Sequence, residues 1–268
     1  MNYIPNIDLL NVYSDVNNHT DYPMIAVFDF DNKRLVYCGT AHDEDKSFDA
    51  INYCFNNFNI DCVVTEYDKN KKIEGADAKN RCQNELEYSG RIAIAKNTPC
   101  VLADTGEKDW INTLIAKNID YMNKFQTFFM LDDAYKYKQH FGTNFSIQRA
   151  IDNVVDKYWD AKFPKPMNKT EFQKYFMKNF GFEVTDDNIS DVLSEYPDWN
   201  EPNANGNLIN TLWADINRFS RDPYMLNCIF DSVNKYNCVL ATFGAGHFDD
   251  QRRVLEYAFG KPKFITEY

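Results

Sequence analysis

The chain is poor in histidine and in positive charge. It holds four histidines, and its 29 lysines and arginines are outnumbered by 40 aspartates and glutamates, giving a formal net charge of −11. No excess of positive charge is available to release counterions, which disfavours a nucleic-acid or anionic-membrane partner. The one local run of lysines, K-N-K-K at 69–72, reads as a solvated loop. No stretch approaches 18 apolar residues, so no membrane-spanning helix is expected. The opening M-N-Y-I-P-N-I-D-L-L lacks the basic start and apolar run of a secretory leader, and the expected location is the cytoplasm. No C-x-x-C pair occurs among the seven cysteines. Cys38, Cys62, Cys100 and Cys238 fall in apolar runs and read as small hydrophobes of a reduced protein, not a disulfide framework. Also missing are a Walker-type phosphate loop, a G-x-S-x-G elbow and an H-E-x-x-H pair.

What is present is a packed globule's composition, with 21 Phe and 17 Tyr in 268 residues. The expected organisation is a single α/β domain over 1–268, with a mainly parallel central sheet flanked by helices. Runs 24–30 and 34–38, separated by Asp31-Asn32-Lys33, read as a hairpin. A helical pattern at 44–58, an apolar run at 62–65, a second helical pattern at 86–95 and a short strand at 99–103 complete a β–α–β–α–β series. A large all-helical insertion follows, at about 105–236, its last helix running uninterrupted over 208–236. Asn168-x-x-Glu171 and Asp187-x-x-Ser190 are weak helix-start signals within it. The sheet core, about 23–104, then resumes at about 237–266, with strand 238–243, a helix over 249–259 and a last strand at 263–266.

Two of the four histidines follow a strand by the same step, G-T-A-H at 39–42 and G-A-G-H at 244–247. In an open α/β sheet, ligands bind beyond the carboxyl ends of the strands. Four such ends carry chemistry here: Gly39 with His42, Glu66, Asp104, and Gly244 with His247. Glycine at each turn is expected to supply positive φ and close backbone approach. Two imidazoles and one or two carboxylates in one cleft suit two chemistries. They can hold a divalent metal with an open position for water, lowering that water's pKa. Without metal, Glu66 would act as general base and His42 or His247 would handle the second proton transfer. Arg221, in R-D-P-Y-M, is placed to clamp a carboxylate or stabilise an oxyanion, and Asp222 to orient a histidine. His19 and His140 have no supporting neighbours.

These residues resemble the TraB/PrgY, Tiki, ChaN and erythromycin-esterase superfamily, most closely its TraB-type members. The first G-x-x-H, the strand-end glutamate in V-V-T-E-Y-D, the R-D-x-x-M segment and the second G-x-x-H occur in the matching order, and the resemblance covers 34–104 and 208–259. It implies a hydrolase-like site at one edge of an α/β sheet. Tiki-type members suggest a metal-dependent protease, esterase-type members cleavage of an ester, and ChaN-type members haem iron. Carried over, His42, His247 and Glu66 match the core and metal positions, Arg221 the family arginine and Asp104 a strand-end acid. Asp43, beside the first motif, is a departure that adds negative charge to the site. The expected function is cleavage of a peptide or ester bond in a peptide or small-molecule substrate, with a divalent Mn, Co, Zn or Fe ion. The alternative is a non-catalytic binder of haem, peptide or another small ligand on the same fold.

Overall fold

In the computed structural model, residues 2–10, 23–41, 44–73, 84–200 and 202–267 are described. Chain contacts divide it into two compact units, Met1–Gly106 with Ser220–Tyr268, and Glu107–Phe219.

The first unit is built on a six-stranded sheet in the order β4-β3-β5-β2-β1-β6. Its strands are β1 (Met24–Phe30), β2 (Lys33–Thr40), β3 (Cys62–Asp68), β4 (Cys100–Asp104), β5 (Cys238–Gly244) and β6 (Lys263–Ile265). The four strands β4, β3, β5 and β2 run parallel, while β1 is antiparallel to both β2 and β6. The mixed α/β class with a mostly parallel sheet is thus the one the sequence pattern implies. Asp31 and Asn32 have φ of 43° and 61°. Positive φ at both central residues is the signature of a two-residue type I′ hairpin turn, matching the twist of the flanking strands.

Side chains of β1 alternate faces, as the pleat requires. Ala26 and Phe28 join a core with Tyr37, Phe243 and the helices α9 (Asp222–Lys235) and α10 (Ala245–Phe259). Ile25 and Val27 join another with Val36, Leu240 and the helices α1 (Asp45–Asn57) and α2 (Glu85–Ala95). The sheet is therefore a middle layer between two helix pairs, and its parallel strands are apolar on both faces.

The topology explains how distant motifs meet. Although the helical unit separates β4 from β5 in sequence, β5 inserts between β3 and β2. Thr40 pairs with Gly244 on one side of β5, and Thr65 with Thr242 on the other. The ends of β2, β5 and β3 therefore lie side by side at the carboxyl edge. Neither motif glycine has the positive φ expected of it: Gly244 has φ −52°, and the glycines with positive φ among the described residues are Gly142, Gly181 and Gly260. Gly39 instead serves packing. A Cβ there would lie 2.8 Å from Met24 Sδ and 3.1 Å from Ala245 Cβ.

The second unit is helical: α3 (Glu107–Lys117), α4 (Tyr121–Phe141), α5 (Ile147–Tyr158), α6 (Lys169–Phe180), α7 (Val192–Glu195) and α8 (Leu208–Ile216). Helix α4 is buried at seven successive positions, 125 to 131, because other helices of its unit pack around it. Its buried Gln126 is satisfied by the Met167 backbone, donating to the carbonyl at 2.8 Å and accepting from the N–H at 2.9 Å. Asn168, a weak helix-start signal in the sequence, forms a full reciprocal capping box with Glu171. Asp187-x-x-Ser190 starts no helix; α7 begins at Val192.

The expected insertion, about 105–236, compares with a helical unit of 107–219, since α9 packs on β3, β4 and β5. The expected single helix over 208–236 divides into α8, a π-helical turn Asn217–Arg221 and α9. Pro223 in the first turn of α9 explains the break. It lacks the N–H that a continuous helix would donate four residues back, and its ring crowds that carbonyl. The wider π turn accommodates both effects, and such turns recur at functional sites.

Candidate functional site

Glu66 lies where β3 slips register against β4. Thr65 pairs with Leu102 but Asp68 pairs with Asp104, so β3 carries one extra residue. A bulge re-aims a side chain, and the Glu66 carboxylate meets three groups at the carboxyl edge. Its Oε2 accepts from the Gly244 N–H at 2.6 Å, and its Oε1 accepts from Arg221 Nη2 at 2.5 Å and lies 3.5 Å from His247 Nε2. Arg221 leaves the π turn and also grips Asp104, through Nε at 3.0 Å and Nη2 at 3.1 Å. Asp104 in turn accepts from the Thr105 N–H at 2.7 Å. One guanidinium thus holds two strand-end carboxylates, the forked geometry for which arginine is suited.

His247 sits in the first turn of α10, which begins directly at Ala245 instead of at 249. Its Nδ1 is 2.7 Å from Asp222 Oδ1, as expected of an orienting carboxylate. Asp222 Oδ1 also accepts from Gln251 Nε2 at 2.7 Å, and Gln251 Oε1 accepts from the buried Tyr37 hydroxyl at 3.3 Å. The result is a continuous, largely buried chain, Tyr37–Gln251–Asp222–His247–Glu66–Arg221–Asp104. Asp222, His247 and Asp250 each offer a ligand atom, all within 4.8 Å of one another, and could hold a metal ion.

Electrostatics follow from that geometry. Burial alone would raise the Glu66 carboxyl. The charges of His247 and Arg221, with hydrogen bonds from His247 and the Gly244 N–H, outweigh it and hold the group well below the usual carboxylate range. Burial alone would make His247 harder to protonate. The negative charges of Asp222 and Glu66 outweigh both that and repulsion from Arg221, pushing the imidazole up to about 10. Burial likewise opposes the charge on Arg221, but Asp104 and Glu66 more than restore it. In the absence of a metal ion, then, Glu66 rests as a carboxylate between an imidazolium and a guanidinium.

Of the residues the sequence nominated, Glu66, Asp104, Arg221, Asp222, Gly244 and His247 come together. Gly39 lies on the adjacent strand, packed as described above, and the Gly244 N–H is held by Glu66. His42 and Asp43 lie outside the described residues, as does His19. Ala41, next to His42, is fixed on both backbone groups by the Ser47 hydroxyl, at 3.0 and 2.6 Å. His140 is exposed on α4.

Sequence reasoning missed Asp250, Gln251 and Tyr37, and the buried Glu85, which accepts from Thr40 at 3.1 Å. A signal existed for two of them. Asp250 and Gln251 stand three and four residues after His247, one helix face, but the expected start of the helix at 249 concealed the spacing. Comparison with protein-family models, curated proteins and solved structures finds no match to this chain.

Proposed function

We propose that the carboxyl edge of the sheet is a hydrolytic centre that cleaves a peptide or ester bond with a divalent cation held at His247. The observation that carries this reading is the buried Asp222–His247–Glu66–Arg221 chain. The residues fit such an ion on two counts. Among the described residues, Glu66, Asp104, Asp222 and Asp250 set four carboxyl groups at this largely buried edge. Carboxylate and imidazole donors are the ligand types that divalent first-row ions take. Asp222, His247 and Asp250 also offer three ligand atoms within 4.8 Å of one another, the separation a single ion needs. When bound, the ion would lower the pKa of a coordinated water and so supply a nucleophile at neutral pH.

Each protein group then has a role of its own. Asp222 accepts from His247 Nδ1–H and turns Nε2 toward Glu66, the usual partner arrangement for a ligating histidine. Gln251 holds Asp222. Arg221 and the Gly244 N–H keep Glu66 ionised and in place. That depressed pKa argues against Glu66 as a metal-free general base, since an efficient base titrates near the working pH. Arg221, engaged by two carboxylates, is better suited to holding them than to meeting an oxyanion. Both His247 nitrogens face carboxylates, which favours a bare ion over haem iron. The motif resemblance to the TraB, Tiki and esterase superfamily supports the same reading, with His42 as the further ligand.

Mn-, Co-, Zn- and Fe-loaded protein should be screened against ester and peptide libraries, with His247→Gln and Glu66→Gln as controls. The reading expects turnover that falls at least about 100-fold in both variants while their circular dichroism stays unchanged. Turnover indifferent to both substitutions would overturn it. The mutual saturation of Glu66, Arg221 and Asp104 favours a second reading, a peptide or small-ligand binder without turnover. It predicts ligand binding that survives His247→Gln.

A further inference from the structure

Within the helical unit, a cavity of about 370 Å³ opens between α3, α4, α7 and α8. Its size is in the range of small-molecule sites, which favour gaps between helices. Helix patterning puts the lining in place. Phe128, Asp132 and Tyr135 fall on one face of α4 at spacings of four and three, and Glu107 and Trp110 occupy the first turn of α3. Trp213, from α8, stands edge-on to Trp110 with ring centroids 5.7 Å apart and to Phe128 at 5.1 Å. Four aromatic side chains, two carboxylates and Lys136 therefore share one lining.

We propose that this cavity binds a small organic ammonium ion, its charged head against the aromatic rings and beside Glu107 and Asp132. Ring faces attract cations, and a methylated ammonium sheds its weakly held water at little cost, so an aromatic cage with carboxylates selects it. The competing cations are weakly held. Lys136 reaches Asp132 at 2.6 Å and Lys157 reaches Glu107 at 3.6 Å, but their side chains are 62% and 57% exposed. Exposed pairs of this kind contribute little and yield easily to a ligand. Leu193 closes the wall with apolar surface suited to a short alkyl or aryl tail. The inference is independent of the chemistry proposed at the sheet edge.

The test is a fluorescence titration of the intact chain, whose four tryptophans, at 110, 159, 199 and 213, all lie in this unit. Choline is the probe, and 3,3-dimethylbutan-1-ol is its uncharged isostere. Choline should change the emission saturably and bind at least about tenfold more tightly than the isostere. The double variant Glu107→Gln/Asp132→Asn should weaken choline about fivefold or more while leaving isostere binding and circular dichroism unchanged. Equal affinity for the two probes would show an apolar cavity only and overturn the proposal. So would the absence of saturable binding up to about 10 mM on folded protein, or a double variant that binds choline as wild type does.

Discussion

Replacing Arg221 with methionine should be among the most damaging single changes in the sheet unit. The guanidinium makes charge-assisted contacts to Glu66 at 2.5 Å and to Asp104 at 3.0 and 3.1 Å. The Glu66 side chain is 7% exposed and that of Asp104 16%, so water cannot fully replace the lost charge. Removing one partner of a buried ion pair costs about 3–5 kcal/mol, a large share of the 5–15 kcal/mol that is typical of a whole domain. Because all four tryptophans lie in the helical unit, their fluorescence reports that unit. Hydrogen exchange of the β5 amides, read by mass spectrometry against urea, reports the right unit. Adding Glu66→Gln to Arg221→Met removes one stranded charge and should recover about 1–3 kcal/mol, a coupling that a double-mutant cycle isolates. The pH profile adds a check. Glu66 has its pKa lowered on folding, so its contribution is present above the unfolded value of 4.5 and fades as pH falls through the lower folded value. In Arg221→Met the folded pKa rises, and the loss should set in at higher pH. A methionine variant within about 1 kcal/mol of wild type, or a double variant equal to the sum of the singles, would refute the reasoning.

The remaining predictions concern the same edge. His247 has its pKa raised to about 10 against 6.5 unfolded, so its stabilisation is present below about pH 6.5 and disappears as pH rises through 10. Asp222→Asn should bring the imidazole titration seen by NMR down by more than one unit and flatten the stability profile between those values; an unchanged titration counts against the ion pair. Gln251→Met keeps the volume but removes one donor from Asp222 Oδ1 and the acceptor of the Tyr37 hydroxyl, and should cost about 1–3 kcal/mol by urea unfolding. Gly39→Ala sets a methyl 2.8 Å from Met24 Sδ and 3.1 Å from Ala245 Cβ and should cost about 1–3 kcal/mol, partly relieved by Met24→Ala.

Much of this architecture is legible in the chain because strand and helix periods are local. The hairpin at Asp31-Asn32, the parallel runs of β3, β4 and β5 and the helical character of 107–219 all follow from it. The pairing of Asp222 with His247 was legible too, from residue type beside a motif. What sequence hid was set by long-range geometry. The bulge that turns Glu66 toward Arg221 exists only against β4, and the tight packing of Gly39 exists only against Met24 and Ala245. The π turn was readable from Pro223 alone, had its missing N–H been weighed against a continuous helix. Gln251 and Tyr37 belong to a chain assembled by α9, α10 and β2, whose members are up to 214 residues apart.

The central claim is that the carboxylates around His247 hold a divalent cation. The most direct measurement is metal content by mass spectrometry, on wild type and His247→Ala purified without chelator or affinity-tag metal, then after loading with Mn, Co, Zn or Fe. The account predicts close to one ion per chain in wild type, bound with proton release as His247 gives up its imidazolium proton, and a large loss in the variant. A folded wild type that takes up none of these ions, or a His247→Ala protein that holds them equally well, would contradict it.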